Sequence, residues 1–421
     1  MFHSPRPRVA IIGLGGYAAR HHEAVLALEK LEECRLVCTC DPRPDSFRDQ
    51  TVRWAFGARG IAVFGDYREM LERHVNELDV VIIPTPIPLH EEMHAAVVGH
   101  GLTAYLEKPP SLDPQELERM IALDAQAAVP TLVGFNFIAE PARQALKRRL
   151  LAGEFGALRS ATLLGLWARS SDYYGRNDWA GHLLSSDGRL LLDSCLGNGL
   201  SHHVHNLLHW AGLDGLDRWA EALRVRASLL RAHPIEGPDT VFLEAETSSG
   251  VPLRLALSHA CRGPELHRER LVCELAEIDY MTQRRAEIRW RDGRIEPVTL
   301  DPFDAQMVNL RVLFSCILGK TTKPPTTLND SGPFVRLHAL AYISAREIKN
   351  WEEAVVIREP AGRPACHVEV VGIEAMAERF LVRREWPRGE PEPAAPDALG
   401  ELPVVVREMV ACAALASAGA G

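Results

Sequence analysis

The stretch Val9-Ala10-Ile11-Ile12-Gly13-Leu14-Gly15-Gly16-Tyr17-Ala18 joins an apolar run to the pattern G-x-G-x-x-A and a helix-forming segment. In that register Gly13 permits a tight turn, Gly15 lets backbone approach a pyrophosphate, and Ala18 keeps the helix close to the strand. Gly16 and Tyr17 complete a turn whose following helix start offers N–H groups and a positive dipole end to phosphate oxygens. Such a glycine turn can also be no more than a tight corner. Asp41 adds weight, because it directly follows a second apolar run and lies 23 residues beyond Ala18. A carboxylate there accepts hydrogen bonds from the adenosine ribose, which favours NAD. Arg43, two residues on, is able to pair with a 2′-phosphate instead, so NADP stays open.

Working outward, short apolar runs alternate with helical stretches from Arg8 to about Gly134. The runs are Val9–Gly13, Arg35–Cys40, Asp79–Pro84, Thr103–Leu106 and Thr131–Val133, with helix-like Ala18–Leu31 and His90–His100 among them. They are continuously apolar, as strands covered on both faces are. The order predicts a doubly wound parallel sheet, an α/β domain over residues 1–134. From Phe135 the grammar changes. A helix over Pro141–Ala152 precedes strand-like Leu158–Arg169, Arg224–Leu230, Val241–Thr247, Val251–His259, Leu271–Tyr280 and Glu287–Trp290. Ser248-Ser249-Gly250 and Asp292-Gly293 read as hairpin turns. This predicts an α+β domain over 135–360 with a large, mainly antiparallel open sheet. Residues 361–421 form an extension without an assigned role, with a linker-like Pro387–Pro396 and a docking helix over Val404–Leu415.

Composition excludes several classes. With 47% hydrophobic and 24% charged residues the chain is globular rather than disordered or fibrous. The 47 basic residues are outnumbered by 56 acidic ones, which leaves no surplus for a nucleic-acid phosphate backbone. No apolar run reaches the roughly 20 residues of a membrane span. Nine scattered cysteines without C-x-x-C spacing, and a start lacking an apolar signal core, predict free thiols and a cytoplasmic protein.

Two further motifs end strand-like runs. Thr85-Pro86-Ile87-Pro88-Leu89-His90 is stiffened by prolines and reads either as a rigid turn or as part of a ligand site. Leu106-Glu107-Lys108-Pro109-Pro110 places a lysine where its cation orients a substrate hydroxyl and stabilises a developing alkoxide; its bland reading is a solvated Glu-Lys pair.

Together, the glycine turn, Asp41, T-P-x-x-x-H at Thr85–His90, E-K-P at Glu107–Pro109 and G-F-N-F at Gly134–Phe137 resemble the glucose–fructose oxidoreductase / inositol dehydrogenase (Gfo/Idh/MocA) family. The match covers about the first 210 residues and, for the hairpin-rich domain, extends to roughly residue 350. The resemblance implies a Rossmann domain, an open-sheet substrate domain, a nicotinamide cofactor bordered also by Thr85, Pro86, His90, Glu107 and Lys108, and a sugar, polyol or cyclitol substrate. It also implies a homo-oligomer, dimer or tetramer, formed through the outer face of the second sheet.

The family pattern D-x-x-x-H aligns with Asn198-Gly199-Leu200-Ser201-His202, so asparagine replaces the aspartate. A one-residue slip would use His203. Asn198, His202, His205 and His209 fall at i, i+4, i+7 and i+11, which predicts one polar helical stripe. Asparagine orients an imidazole but cannot raise its pKa by charge. Tyr174 and Arg176, within Tyr173–Gly181, read as a wall gripping hydroxyls, with Arg176 on a carboxylate or phosphate, or as a structured rim loop. No H-E-x-x-H accompanies the histidines, so no metal site is expected. His21 and His22 read as solvent-facing or phosphate-side bystanders. The resulting expectation is hydride transfer with His202 as base, Lys108 on the alkoxide and Asn198 fixing the ring; exchanged roles for Lys108 and His202 stay open. Rival readings are an NAD-dependent glycosidase using transient oxidation, or a non-catalytic NAD(P)-binding regulator.

Overall fold

The computed structural model describes residues 6–351, 354–358 and 365–418, which divide into two compact units. The first comprises 1–111, 115–139 and 303–331; the second comprises 112–114, 140–302 and 332–421.

The first unit holds six parallel strands: β1 (Arg8–Ile12), β2 (Arg35–Cys40), β3 (Ala62–Phe64), β4 (Val80–Ile83), β5 (Thr103–Leu106) and β6 (Leu132–Val133), ordered β3-β2-β1-β4-β5-β6. The order reverses next to β1, the switch point where such sheets bind ligands. Helices α1 (Ala18–Lys30), α2 (Arg48–Arg53), α3 (Phe56–Arg59), α4 (Tyr67–His74), α5 (His90–Gly99) and α6 (Pro114–Asp124) connect them. β3 carries no sequence signal, because three half-buried residues are too few to show a period. α4 starts on Asp66, whose side chain accepts from Arg68 N and Glu69 N.

The second unit begins with α7 (Pro141–Leu151) and β7 (Leu158–Leu166), followed by a one-turn α8 (Ser171–Tyr174), a π-turn at Cys195–Gly199 and α9 (Ser201–Ala211). Strands β8 (Ala222–Arg231), β9 (Thr240–Thr247), β10 (Leu253–Ser258), β11 (Leu266–Cys273), β12 (Ala276–Met281), β13 (Arg285–Trp290) and β14 (Ile295–Val298) build the large sheet with β15 (Ile348–Asn350). Its order is β14-β13-β12-β11-β7-β10-β9-β8-β15, antiparallel except for β7–β10 and β8–β15. The single strand expected over Leu271–Tyr280 is instead parts of β11 and β12. The turn between them, Glu274-Leu275, contains neither Gly nor Pro, so the sequence does not announce it.

α10 (Ala305–Ile317) belongs to the first unit and not to the second domain expected from 135 onward. Its Leu310, Leu313 and Phe314 complete the core formed by Val9, Ile11, Val25 and Leu28. α11 (Leu328–Ala345) follows, and then a hairpin of β16 (Ala354–Arg358) and β17 (Cys366–Val370), α12 (Ile373–Arg383) and α13 (Leu402–Ala418). The domain boundary expected at 360–361 lies outside the described residues.

Alternation along β7 sends Leu164 and Leu166 to one face and Gly165 to the other. Leu164 and Leu166 share a core with Ile373, Ala377, Phe380 and Leu381 of α12, whereas Gly165 packs against Leu200 beside α9. The extension thus covers part of the second face of the sheet. Pro387–Pro396 is not a free linker: Ala394 exchanges backbone hydrogen bonds with Val225 of β8 at 2.9 and 2.8 Å. Prolines suit this place, since a segment laid on a sheet edge gives few N–H groups to the ladder.

Candidate active site

In the first unit the glycine turn is tied to Asp41. Gly13, at φ +110°, donates its N–H to Cys40 O at 2.6 Å, and its missing Cβ would stand 3.1 Å from Ala18 Cβ. Asp41, nearly buried, accepts Leu14 N–H at 3.1 Å through Oδ2 and Arg43 N–H at 2.9 Å through Oδ1. Each carboxylate oxygen keeps a second lone-pair direction for a ribose hydroxyl. The Arg43 side chain is exposed. Gly15 faces the Phe47 ring, where a Cβ would come within 2.3 Å, while Gly16 at φ +55° has open space. The start of α1 lacks both a side-chain cap and an acidic residue in its first turn, which fits a bound pyrophosphate. Tyr17 is half exposed above it, its phenol pushed up to about 12 by burial and the Glu107 charge.

His21 and His22 are not bystanders. Both are fully buried: His21 Nε2 meets Glu107 Oε1 at 2.9 Å, and His22 Nε2 meets Gly13 O at 3.0 Å with its ring stacked on Trp54. α1 therefore clamps the acid of the E-K-P motif, whose Oε2 accepts Lys108 N–H at 3.2 Å. Gly134 is required beside it, since a Cβ there would lie 2.9 Å from Glu107 Oε1. His90 joins the two remaining motifs. Its Nε2 is 2.8 Å from Thr85 O, its Nδ1 3.1 Å from Pro109 O, and burial lowers its pKa. Pro86 is exposed and opens the short 3-10 turn Ile87–Leu89. From Leu102 to Leu112 every residue is buried except Lys108.

In the second unit, from Leu191 to Gly212, only Asn198 and His202 escape burial. The four-residue stripe expected there does not form. Asn198 lies in the π-turn, whose wider winding breaks the 3.6-residue period before α9 begins at Ser201. His205 packs against Trp219, and His209, facing Leu216 O at 2.8 Å, sits in the core with its pKa well below the ordinary imidazole range because of burial. His203 is also buried, its ring 3.9 Å from that of His267.

A carboxylate does reach Asn198. Asp193 Oδ1 accepts Asn198 Nδ2–H at 2.9 Å and Oδ2 accepts Gly181 N–H at 2.6 Å. The glycines flanking Asn198 each receive an imidazole: a Cβ on Gly197 would lie 2.6 Å from His338 Nε2, and one on Gly199 2.3 Å from His259 Nε2. Burial holds both His259 and His338 down to about 3, so both are neutral at pH 7. An unfolded chain protonates them near 6.5 and the folded one does not, so stability falls as pH drops below 6.5. Each costs about 2 kcal/mol between pH 6.5 and 5. The urea midpoint is expected to decline over that interval, and His338→Gln to flatten the decline; a midpoint unchanged from pH 7 to 5 contradicts this.

Tyr174 packs at a tilt against His233, with ring centroids 4.9 Å apart, and Arg176 lies over Tyr173. Spacing alone misses Arg169, Trp167 and His259, which gather at the ends of β7 and β10. A strand end in a substrate domain was the available signal. Among the described residues no three His, Cys, Asp or Glu side chains gather to hold a metal, and no helix is long and apolar enough to cross a membrane.

A switch-point glycine turn with an acid after β2 and an uncapped helix start defines a dinucleotide-binding domain. Residues 7–135 match the Gfo/Idh/MocA family described as "Oxidoreductase family, NAD-binding Rossmann fold". The chain is 25% identical over 358 residues to D-apiose dehydrogenase of Paraburkholderia graminis, covering 80% of this chain and 87% of that one. Over 149 residues it is 30% identical to scyllo-inositol 2-dehydrogenase (NAD(+)) of Bacillus subtilis, 35% of this chain and 41% of that one. The fold is shared with the WlbA dehydrogenase of Bordetella pertussis, solved with NADH and UDP-GlcNAcA, at TM-score 0.63 and 22% identity, covering 81% of this chain and 97% of that one. It is shared as well with levoglucosan dehydrogenase, solved with NADH, at TM-score 0.67 and 17% identity with the same coverage.

Proposed function

We propose that this chain oxidises a hydroxyl-bearing carbon of a sugar, polyol or cyclitol reversibly, with Lys108 and His202 as its catalytic groups. The observation that carries this reading is selective access: within two otherwise buried runs, Lys108 alone and Asn198 with His202 alone reach the surface. When bound at the glycine turn, NAD supplies the acceptor for the hydride that leaves the carbinol carbon. His202 takes the hydroxyl proton, an imidazole being usable near neutral pH. The Lys108 ammonium lowers the energy of the alkoxide-like oxygen. Asn198, its amide N–H held by Asp193, presents its carbonyl as the orienting group; the charge missing at position 198 thus stands one hydrogen bond away.

Asp41 favours NAD, because its carboxylate repels a 2′-phosphate. Asp41→Ala is expected to weaken NADH binding about tenfold and to narrow the gap to NADPH, in keeping with one charge-assisted hydrogen bond. Titration of both cofactors reads this, and an unchanged NADH affinity contradicts it. The function itself is tested by NADH formation across aldoses, polyols and cyclitols; cofactor binding without turnover of any of them, or of their acidic derivatives, overturns it. Nine cysteines without a disulfide agree with a cytoplasmic location. Self-association is proposed through the sheet face that α12 leaves uncovered, toward β11–β14, and light scattering at a multiple of the chain mass would support it.

A further inference from the structure

At the end of β7 three aromatic rings and two guanidinium groups alternate. Arg169 Cζ lies 3.5 Å from the centre of the Trp167 ring and 4.3 Å from that of Tyr173. Arg176 Cζ lies 3.7 Å from the Tyr173 ring and 5.1 Å from that of Trp179. The order in space is Trp167, Arg169, Tyr173, Arg176, Trp179. Among the described residues neither arginine forms an ion pair, although most of the other arginines of the large sheet do. Arg176 bonds to the carbonyl of Tyr173, and Arg169 Nε is buried without a partner. Burial lowers the Arg169 pKa yet leaves it a cation, since a guanidinium does not lose its proton in proteins.

Stacking covers the faces of a guanidinium and leaves its N–H groups pointing outward in the plane, the arrangement that fits a carboxylate or phosphate bidentately. The two cations flank one ring, Arg169 partly buried and reached only by the longer-range charge of Glu265, so an anion between them would offset their mutual repulsion. The ladder also borders the residues assigned to the reaction. The backbone N–H of Arg169 donates to the backbone carbonyl of His259 at 3.1 Å, and the His259 ring abuts Gly199, next to Asn198.

We propose that this ladder is an oxyanion site and that the substrate is an acidic carbohydrate, one bearing a carboxylate or a phosphate. The inference rests on the dehydrogenase reading above, because it names the substrate class of that same site.

The test compares D-glucose with D-glucuronate, D-gluconate and D-glucose 6-phosphate, by calorimetric binding without cofactor and by NADH formation with NAD. The acidic probes are expected to bind the wild type at least about tenfold more tightly than glucose, the uronate and aldonate against the phosphate deciding which oxyanion is meant. Arg176→Met, at an exposed position, and Arg169→Met are each expected to weaken that binding about ten- to hundredfold, with the affinity for glucose unchanged. Arg169→Lys, which keeps charge without the fork, should fall between. In turnover the loss is expected in KM rather than kcat. Equal affinity for neutral and acidic probes, or an equal loss for both in the methionine variants, overturns the oxyanion site while leaving the dehydrogenase reading intact. Charge-selective binding without NADH formation from any probe supports the site and counts against the dehydrogenase reading.

Discussion

Alanine in place of Lys108 is expected to lower kcat by at least about a hundredfold, the low end for loss of a group acting directly on the transferring proton or the developing charge. Binding of NADH is expected to survive, because the glycine turn, Asp41 and the start of α1 are untouched by the change. Lys108 is the accessible residue of its buried run, and its backbone N–H is held by Glu107, itself clamped by His21. His202→Ala should produce a loss of similar size and also remove the acidic limb of the pH–rate profile, since an imidazole base must be neutral to accept the proton. If instead Lys108→Ala abolishes the pH dependence and His202→Ala leaves it, the two residues exchange roles. Full activity in both variants contradicts the assignment altogether. Stopped-flow measurement of NADH formation with saturating cofactor separates these outcomes from a binding defect.

The largest stability effect is expected at Glu269, a buried carboxylate that supports α9 from beneath. This carboxylate is fully buried on β11 and accepts from Arg143 Nη1 at 2.5 Å, Arg143 Nη2 at 3.2 Å, Trp210 Nε1 at 2.5 Å and Asn206 Nδ2 at 3.2 Å. Burial alone would raise its pKa, yet the Arg143 charge and the hydrogen bonds outweigh that and hold it at about 2. Arg143 is equally buried and lies over the rings of Trp210 and Tyr280. Removing one member of such a pair leaves the other charge buried without compensation, at a cost of about 3–5 kcal/mol. Glu269→Ala should therefore lower the unfolding free energy, read from urea titration, by that amount. Arg143→Met combined with Glu269→Met should recover part of it, as apolar replacements of both partners often do. A loss below about 1 kcal/mol for the single variant would show that the pair is a spectator. Because Asn206 and Trp210 belong to α9, the same change is expected to loosen the helix that carries His202.

The first unit is largely legible in the order of its residues, because each signal there is local. A five-residue apolar run, three glycines and an acid after the next strand suffice to predict β1, α1 and β2, and all three form. The E-K-P lysine is legible for the same reason. What holds it is not, since His21 and Glu107 stand 86 residues apart and only folding brings them together. The helical stripe of Asn198 and three histidines illustrates a different limit: periodicity presumes a regular helix, and the π-turn at Cys195–Gly199 changes the winding before α9 starts. That change displaces Asn198 alone; His205 and His209 keep their helical spacing and are core residues because α9 is buried on nearly every side. α10 is assigned to the wrong domain by chain order alone, because its apolar stripe completes a core whose other members lie some 280 residues earlier. The proline-rich segment at 387–396 looks like a linker by composition and is a sheet-edge cover by geometry.

The measurement that tests the central claim most directly is isotope transfer. A substrate identified in the NADH screen is prepared with deuterium on the carbinol carbon and turned over with NAD, and the reduced cofactor is analysed by mass spectrometry and proton NMR. One deuterium on the nicotinamide ring, on a single face, is the result expected of hydride transfer held by a fixed site. Product formed without deuterium in the cofactor would contradict the account.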